Sequence, residues 1–382
     1  MSLKYCKACV YPESAVNILF DSEGICSACR FSEEYNRISE AEWAERQERL
    51  YREITEAKGN STSRGNYDCI IAVSGGKDSY WQTHVIKNIF GLNPLLVTYH
   101  GNNYLPEGQR NLDNMKRVFD CSHIIFYPGS EKIIKLNRAA FKLMGDMNWH
   151  AHAGIKTLPM QIAVALRIPI VIWGEVTWSI SGMFSAHDFV EYNYRTVKDH
   201  DLRGYNYKDF LGQEDISISD VNWLEMPTDK EIAELGLRGL YVGNYLKWNP
   251  NEHTELVQRK YGFEVASVPF QRTYRNMSNL DDMHENGIHD YLKYLKFGYG
   301  RVSDHVSKDI RDGYLSRTEG VDLVRKYDHV FPSTDLSRWL TYVGMSANEF
   351  TEISERFRNK IIWKKNEETL IWEKDEIWDE QD

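Results

Sequence analysis

Short uninterrupted apolar runs alternate with segments of helical spacing through the middle of the chain. Asp68-Cys69-Ile70-Ile71-Ala72-Val73, Pro94-Leu95-Leu96-Val97-Thr98-Tyr99, His123-Ile124-Ile125-Phe126-Tyr127 and Ile168-Pro169-Ile170-Val171-Ile172-Trp173 lack the strict polar alternation of half-exposed strands. They read as strands of a parallel sheet covered on both faces. Between them, Tyr80, Trp81, His84, Val85 and Ile89, then 112–119 and 158–166, have helical spacing. The alternation predicts an α/β fold. From residue 226 onward the pattern is mainly helical, over 230–235, 252–261, 282–297, 302–311, 318–327 and 348–358. Upstream, Ser39-Glu40-Ala41-Glu42 has the form of a capping box, with Trp43, Leu50 and Ile54 following at helical spacing. Residues 58–66 hold turn formers and no apolar side chain, which sets a boundary near 63. The expected organisation is a small ribbon over 1–36, a helix and linker over 37–63, the α/β domain over 64–225, and a helical region over 226–382 that completes the active site and ends in an acidic tail, 367–382.

The ribbon rests on cysteine spacing. Cys6-Lys7-Ala8-Cys9 and Cys26-Ser27-Ala28-Cys29 make a C-x2-C-x16-C-x2-C pattern. Each C-x2-C knuckle aims two thiolates at one ion, and four complete a closed tetrahedral shell, the mark of a structural zinc site. An iron-sulfur cluster would use the same ligands, and four unrelated reduced thiols are the plain alternative. Residues 18–25 are expected to form a strand turning at Gly24.

The first apolar run leads directly into Ser74-Gly75-Gly76-Lys77-Asp78-Ser79, and a helix follows. Paired glycines let backbone N–H groups close around phosphate, and the helix start adds partial positive charge. Lys77 supplies a cation, Asp78 a magnesium ligand, and the serines hydroxyl donors. The loop fits neither the Walker nor the dinucleotide pattern. Ligands of open α/β sheets lie beyond the carboxyl ends of the strands, where Gly174 and Glu175 also fall. Glu175 is placed there as a second magnesium or substrate carboxylate, against a solvated loop acid. Gly154, Lys156 and Thr157 stand before the helix expected at 158, where an anionic group could be received; the alternative is a plain cap with surface histidines at His150 and His152. Arg195 lies in an aromatic loop suited to stacking a sugar or base, as does the stretch from Trp178 to Phe184. In Tyr294-Leu295-Lys296-Phe297-Gly298-Tyr299-Gly300-Arg301, Lys296 and Arg301 sit on a pliable turn suited to clamping phosphate.

The string S-G-G-K-D-S after a buried strand resembles the PP-loop of N-type ATP pyrophosphatases. With Tyr5 to Pro12 and Phe20 to Arg30, it is similar over most of the chain to the N-acetyl sugar amidotransferases of the WbpG/PseA type. The resemblance implies an ATP-dependent, AMP-forming enzyme of bacterial surface-glycan biosynthesis. An acetamido group of a nucleotide-activated diacetamido sugar would be O-adenylated, and ammonia would convert it to acetamidino. It further implies adenine contacts near Val97 and Tyr99, a late Lys296 or Arg301 on the leaving phosphates, magnesium, and a separate glutaminase with a cyclase-like barrel subunit. A tRNA-modifying PP-loop enzyme and a non-catalytic ribbon scaffold are the rival readings. Cys69 and Cys121, the only cysteines outside the ribbon, suit neither a glutaminase triad nor a sulfur relay.

The chain has 382 residues, a formal net charge of −10 and a mean hydropathy of −0.54. No run approaches a membrane span and no secretory signal is present, so membrane insertion is not expected and a cytoplasmic location is. The acidity first argues against nucleic acid as a partner. Residues 367–382 alone carry −7, however, so that argument passes to the missing catalytic cysteines. The tail is expected to be a frayed end or a partner-docking strand.

Overall fold

The computed structural model describes residues 3–59, 66–176, 181–283 and 285–379. The linker centre near 63 and Trp178-Ser179-Ile180 lie outside them. Five parallel strands, β1 (Cys69–Ala72), β2 (Pro94–Tyr99), β3 (His123–Phe126), β4 (Ile170–Trp173) and β5 (Arg238–Tyr241), form one sheet in the order β3-β2-β1-β4-β5. Ile71 pairs with Leu96 on one side and Ile172 on the other. Side chains alternate between two buried faces. Ile70, Leu95, Val97 and Val171 enter one core, and Ile71, Leu96 and Ile172 the other. This is why the runs are apolar without alternation.

Helices cover both faces: α1 (Ser27–Asn36) and α2 (Glu40–Gly59) precede the sheet, and α3 (Lys77–Thr83), α4 (Pro106–Phe119), α5 (Ser130–Met144) and α6 (Trp149–Leu166) connect its strands. The fifth strand was not expected. It follows α7 (Asp229–Leu235) and carries the sheet past the boundary drawn at 225. Arg238-Gly239-Leu240-Tyr241 is short and holds a glycine, which hides the strand signal. Gly239 is required where it stands, since a Cβ there would lie 2.4 Å from Tyr192 and 2.6 Å from Trp173.

The C-terminal helices are α8 (Pro250–Tyr261), α9 (Asn286–Phe297), α10 (Arg301–Arg311), α11 (Arg317–Tyr327), α12 (Ser333–Val343) and α13 (Ala347–Phe357). They do not stand apart as a separate body. Phe141 of α5 joins Leu292, Trp339 and Phe350 in one cluster, while Tyr5 and Val10 of the ribbon join Val302, Val306, Val324 and Ile377 in another. The acidic tail is therefore not frayed through residue 379. Ile377 is buried, Tyr5 donates to the Asp375 carbonyl (2.9 Å), and Leu3 N donates to the Asp375 carboxylate (3.0 Å). The ribbon is likewise less regular than the strand expected over 18–25, with single antiparallel bridges at Tyr5–Pro12 and Phe20–Cys26.

Candidate active site

The chain runs outward from β1 to β3 and then returns to place β4 against β1, so the sheet's topological switch lies between β1 and β4. Ligands of open α/β sheets bind at such a point. Here the loop from Ser74 to Ser79 follows β1, and Gly174-Glu175 follows β4. Gly75 has φ +82°, and a Cβ there would lie 2.8 Å from the Leu112 backbone, so a glycine is needed to let the loop tuck against α4. Ser79 Oγ accepts from Ser74 N (2.9 Å) and closes the loop, while Gly76 caps α3 without a side-chain acceptor. The first N–H groups of α3 are thus left to a ligand.

A cavity of about 570 Å³ opens over this switch point. Its sheet side is made by Ser74, Gly76, Lys77, Asp78 and Glu175. The ribbon contributes Tyr11, Val16, Asn17 and Ile18, and the C-terminal region Arg275, Asp281, Arg301, Asp304, Lys308 and Arg311. Lys77 Nζ pairs with Asp78 Oδ2 at 2.8 Å, and Asp78 Oδ1 is buried with no hydrogen-bond partner among the described residues. That orphaned oxygen, beside a phosphate loop, fits a magnesium ion, which keeps several waters and takes one or two carboxylates. Burial raises the half-buried Glu175 carboxyl, with Lys308 opposing and Asp78 adding to the rise. Asp281, also raised by burial, faces the same space.

The four ribbon sulfurs lie within 4.8 Å of one another, with Cys9–Cys26 at 3.6 Å and Cys6–Cys29 at 4.0 Å. A tetrahedral zinc with 2.3 Å bonds needs edges of about 3.8 Å. All four are buried, Cys6 Sγ accepts from Ala8 N and Cys26 N, and hydrogen bonds from Cys26 and Cys29 pull the Cys9 thiol down to about 7. The donor set fits a closed-shell metal. The ribbon is fastened to the C-terminal region: Tyr11 donates to Asp304 (3.1 Å), Ser14 to the Phe297 carbonyl (2.6 Å), and Arg317 to the carbonyls of Cys6 and Cys9.

Several expected site residues stand elsewhere. Helix α6 begins at Trp149 rather than 158, so Gly154, Lys156 and Thr157 are inside it and cannot receive an anion at its start. Pro159 lies inside the helix, although proline more often marks a helix boundary. Here it only removes the donor to the Ile155 carbonyl, which accepts from Trp173 Nε1 instead (3.4 Å). Gly154 packs against the Tyr99 ring, Thr157 is buried, and Lys156 lies by Asp201 (3.7 Å) and over the Trp173 and Tyr241 rings. His150 and His152 are not on the surface either. His150 is enclosed between Tyr99 (3.0 Å) and Glu285 (3.1 Å), a carboxylate that the sequence spacing hides. Arg195 is exposed, 4.0 Å from Asp199, and outside the cavity lining. Val97 and Tyr99 are buried; the Val97 carbonyl already accepts from Val73 N, and Tyr99 stacks on Trp223. Gly174 is pressed between Gln82 and Trp248.

Lys296 and Arg301, adjacent in the expected clamp, separate. Arg301 lines the cavity and is held by Asp290 (2.9 Å). Lys296 turns to the end of α5, donating to the Gly145 carbonyl (3.0 Å), and burial pushes its ammonium down to about 8 against the pull of Asp146. The left-handed Gly298 ends α9 between them and reverses the chain. What sequence reasoning missed is the rest of α10. Arg301, Asp304, Lys308 and Arg311 recur at three- and four-residue spacing on one helix face, and that stripe of charge was the available signal.

The fold and site define a class: a parallel α/β domain with a phosphate-type loop at its switch point, roofed by helices and a four-cysteine ribbon. The family follows at the C-terminal end, where residues 256–376 match the protein family described as "LPS biosynthesis protein WbpG-like, C-terminal domain". That region is thus similar to a WbpG-like C-terminal domain, in agreement with the family resemblance of the N-terminal motifs. It is also 30% identical over 122 residues to an uncharacterized protein, MJ1599, of Methanocaldococcus jannaschii, covering 31% of this chain and 41% of that one. The chain thus spans about two fifths of that relative's length. Among solved structures it is similar to the U34-tRNA thiolase NcsA from Methanococcus maripaludis with its 4Fe-4S cluster, at 14% identity and a TM-score of 0.30. That alignment covers 92% of this chain and 96% of the other, and the score is too low to bear on fold or chemistry.

Proposed function

We propose that this protein is an ATP-dependent, AMP-forming amidotransferase of surface-glycan biosynthesis, converting an acetamido group of a nucleotide-activated sugar to acetamidino. The observation that carries the reading is the joint construction of one cavity. Its floor is the loop with the orphaned Asp78 oxygen, and its far wall comes from the WbpG-like domain through Arg275, Arg301, Lys308 and Arg311.

The backbone of Ser74 to Lys77 and the Lys77 ammonium would hold ATP phosphates. Magnesium, held by Asp78, would neutralise charge as pyrophosphate leaves. Arg301 and Lys308 face developing negative charge from the opposite wall, as transition-state stabilisation requires. The amide oxygen attacks the α-phosphorus, and the P–O bond to pyrophosphate breaks. Ammonia then forms a C–N bond to the activated carbon, its nitrogen sheds one proton, and the C–O bond to AMP breaks. Glu175, which lines the cavity beside the loop and has a raised pKa, would take that proton.

No cysteine among the described residues lines the cavity, and Cys69 and Cys121 are both buried, which supports this reading over a sulfur-transferring tRNA enzyme. The test supplies ammonium chloride, Mg-ATP and a panel of diacetamido nucleotide sugars, uronates and nonulosonates alike. The expected result is AMP plus a product in which NH has replaced O. AMP formation that depends on tRNA and on none of the sugars would overturn the proposal.

A further inference from the structure

Helix α10 brings one more side chain to the cavity wall besides its charged stripe. His305 lies one helical turn from Arg301 and from Lys308, and it lines the same space. It is buried, and its Nδ1 meets Thr273 Oγ1 at 2.7 Å. Thr273 settles which ring nitrogen carries the proton. Its oxygen already accepts from Arg275 N (3.3 Å), and among the described residues His305 Nδ1 is the acceptor that the buried hydroxyl reaches. The hydroxyl therefore donates to Nδ1, and the ring proton sits on Nε2. Nε2 has no partner among the described residues, so its N–H is left to what the cavity holds. We propose that His305 is a catalytic residue, a neutral donor from Nε2 to a non-bridging oxygen of the ATP α-phosphate as the amide oxygen attacks; this rests on the amidotransferase reading above.

The surroundings suit a donor that keeps its proton. Burial, with the cations of Arg275, Arg301, Lys77 and Lys293, holds the imidazole well below its ordinary value, so the ring is uncharged at neutral pH. A second proton would add positive charge to a field already positive, which makes His305 a poor base. Each of those cations has an acid beside it: Lys77 has Asp78 (2.8 Å), Arg275 has Asp309 (2.5 Å), Arg301 has Asp290 (2.9 Å) and Lys293 has Asp304 (2.5 Å). The imidazole N–H is thus the uncommitted donor among them. Lys77 belongs to the glycine loop, and its charge reaches the ring, which sets His305 on the phosphate side of the cavity. The Tyr274 ring stands edge-on to the imidazole, with centroids 6.4 Å apart, and helps to fix its plane. A fixed neutral donor gains little from the ground-state phosphate and more as charge builds on the oxygen in the transition state, so its benefit falls on kcat. Nε2–H is retained when the bond to pyrophosphate breaks, and no proton changes hands.

The test reads that proton directly. In protein carrying isotope-labelled histidine, NMR is expected to show the His305 ring as the neutral Nε2–H tautomer near neutral pH. The signal is assigned by its absence from His305→Gln or, should that variant not fold, by its movement in Thr273→Val. Adding magnesium with α,β-methylene-ATP, which cannot be cleaved between its α and β phosphates, is expected to shift it. A proton on Nδ1, an imidazolium, or a signal that ignores the analogue overturns the proposal. Kinetics separate a donor from a base. His305→Gln keeps a neutral N–H near the Nε2 position and should retain kcat within about tenfold, whereas His305→Leu should lose about 100-fold or more with the KM for Mg-ATP little moved. Equal losses in the two folded variants overturn the donor role while leaving the amidotransferase intact. Wild-type protein whose His305 signal responds to the analogue, yet forms no AMP with any sugar nucleotide and ammonium, overturns the amidotransferase reading and leaves the contact with phosphate standing.

Discussion

Asp78 carries the sharpest expectation at the scale of single residues, because its Oδ1 is buried without a partner among the described residues while Oδ2 is bound to Lys77. Asp78→Asn should lower Mg-dependent AMP formation by about 100-fold or more, the usual cost of removing a group that stabilises transferring phosphate. Full activity in that variant would remove the loop from the mechanism. Glu175 makes a pH prediction whose sign follows from its environment. Burial raises its carboxyl, so it stays protonated, and useless as a base, to a higher pH than an ordinary glutamate. The rate of AMP formation at saturating ATP should fall with decreasing pH along a limb above the usual carboxylate range of about 4.3. Glu175→Gln should abolish that limb along with most of the rate; a limb that survives would belong to another group. Lys296 and Arg301 separate a structural cation from a functional one. Lys296→Ala removes a link to the end of α5 and should cost about 1–3 kcal/mol of stability with the KM for ATP unchanged. Arg301→Lys, which keeps a cation beside the buried Asp290 but loses the guanidinium fork, should do the reverse, lowering kcat in a protein that melts nearly normally. Denaturation curves run beside steady-state kinetics distinguish the two.

At the scale of elements, what was legible in the sequence is what depends on local pattern. Strands β1 to β4 declared themselves because both faces of each are buried, so Ile70 and Ile71 had to be apolar alike. The loop declared itself because Gly75 must hold a positive φ against α4. Elements defined by distant partners stayed hidden. β5 is a strand because Arg238 to Tyr241 finds the open edge of β4, an outcome of the fold and not of its own composition. Helix α6 starts nine residues before the expected 158, because its proline is accommodated by an indole donor from β4. Helix α10 was foreseen as a helix while its role was not. Its apolar residues Val302 and Val306 pack against Tyr5 and Val10 of the ribbon, which turns Arg301, Asp304, Lys308 and Arg311 onto the cavity. A charge reversal on that face tests the assignment: Lys308→Glu should raise the KM for the sugar nucleotide or ATP at least tenfold. The exposed Lys326→Glu on α11 should change neither. Equal effects from the two would mean that net charge, and not position, governs binding.

Over the whole molecule, the ribbon, the sheet and the C-terminal helices share one site, and the metal is the element whose removal separates them. The ribbon is too small to bury a core of its own, and domains of this kind draw their folding energy from the metal. Its loss should first release the Tyr11–Asp304 and Ser14–Phe297 contacts, together with the tail, whose Asp375 is tied to Leu3 and Tyr5. The glycine loop is held differently, by the Ser74–Ser79 bond and by α4, and none of these contacts passes through the ribbon. Metal-free protein, prepared with a strong chelator or as Cys26→Ser, should therefore still bind Mg-ATP in a fluorescence titration. Tyr11, Val16, Asn17 and Ile18 would no longer close the opposite side of the cavity. The KM for the sugar nucleotide should rise more steeply than that for ATP, and readdition of the metal to the chelated protein should reverse the change. Thermal unfolding should gain an early transition, because the helices that rest on the ribbon lose Tyr5 and Val10 from their core. Equal loss of both substrates would show instead that the ribbon supports the sheet, and an unaltered sugar KM would show that its residues border the cavity without touching what binds there.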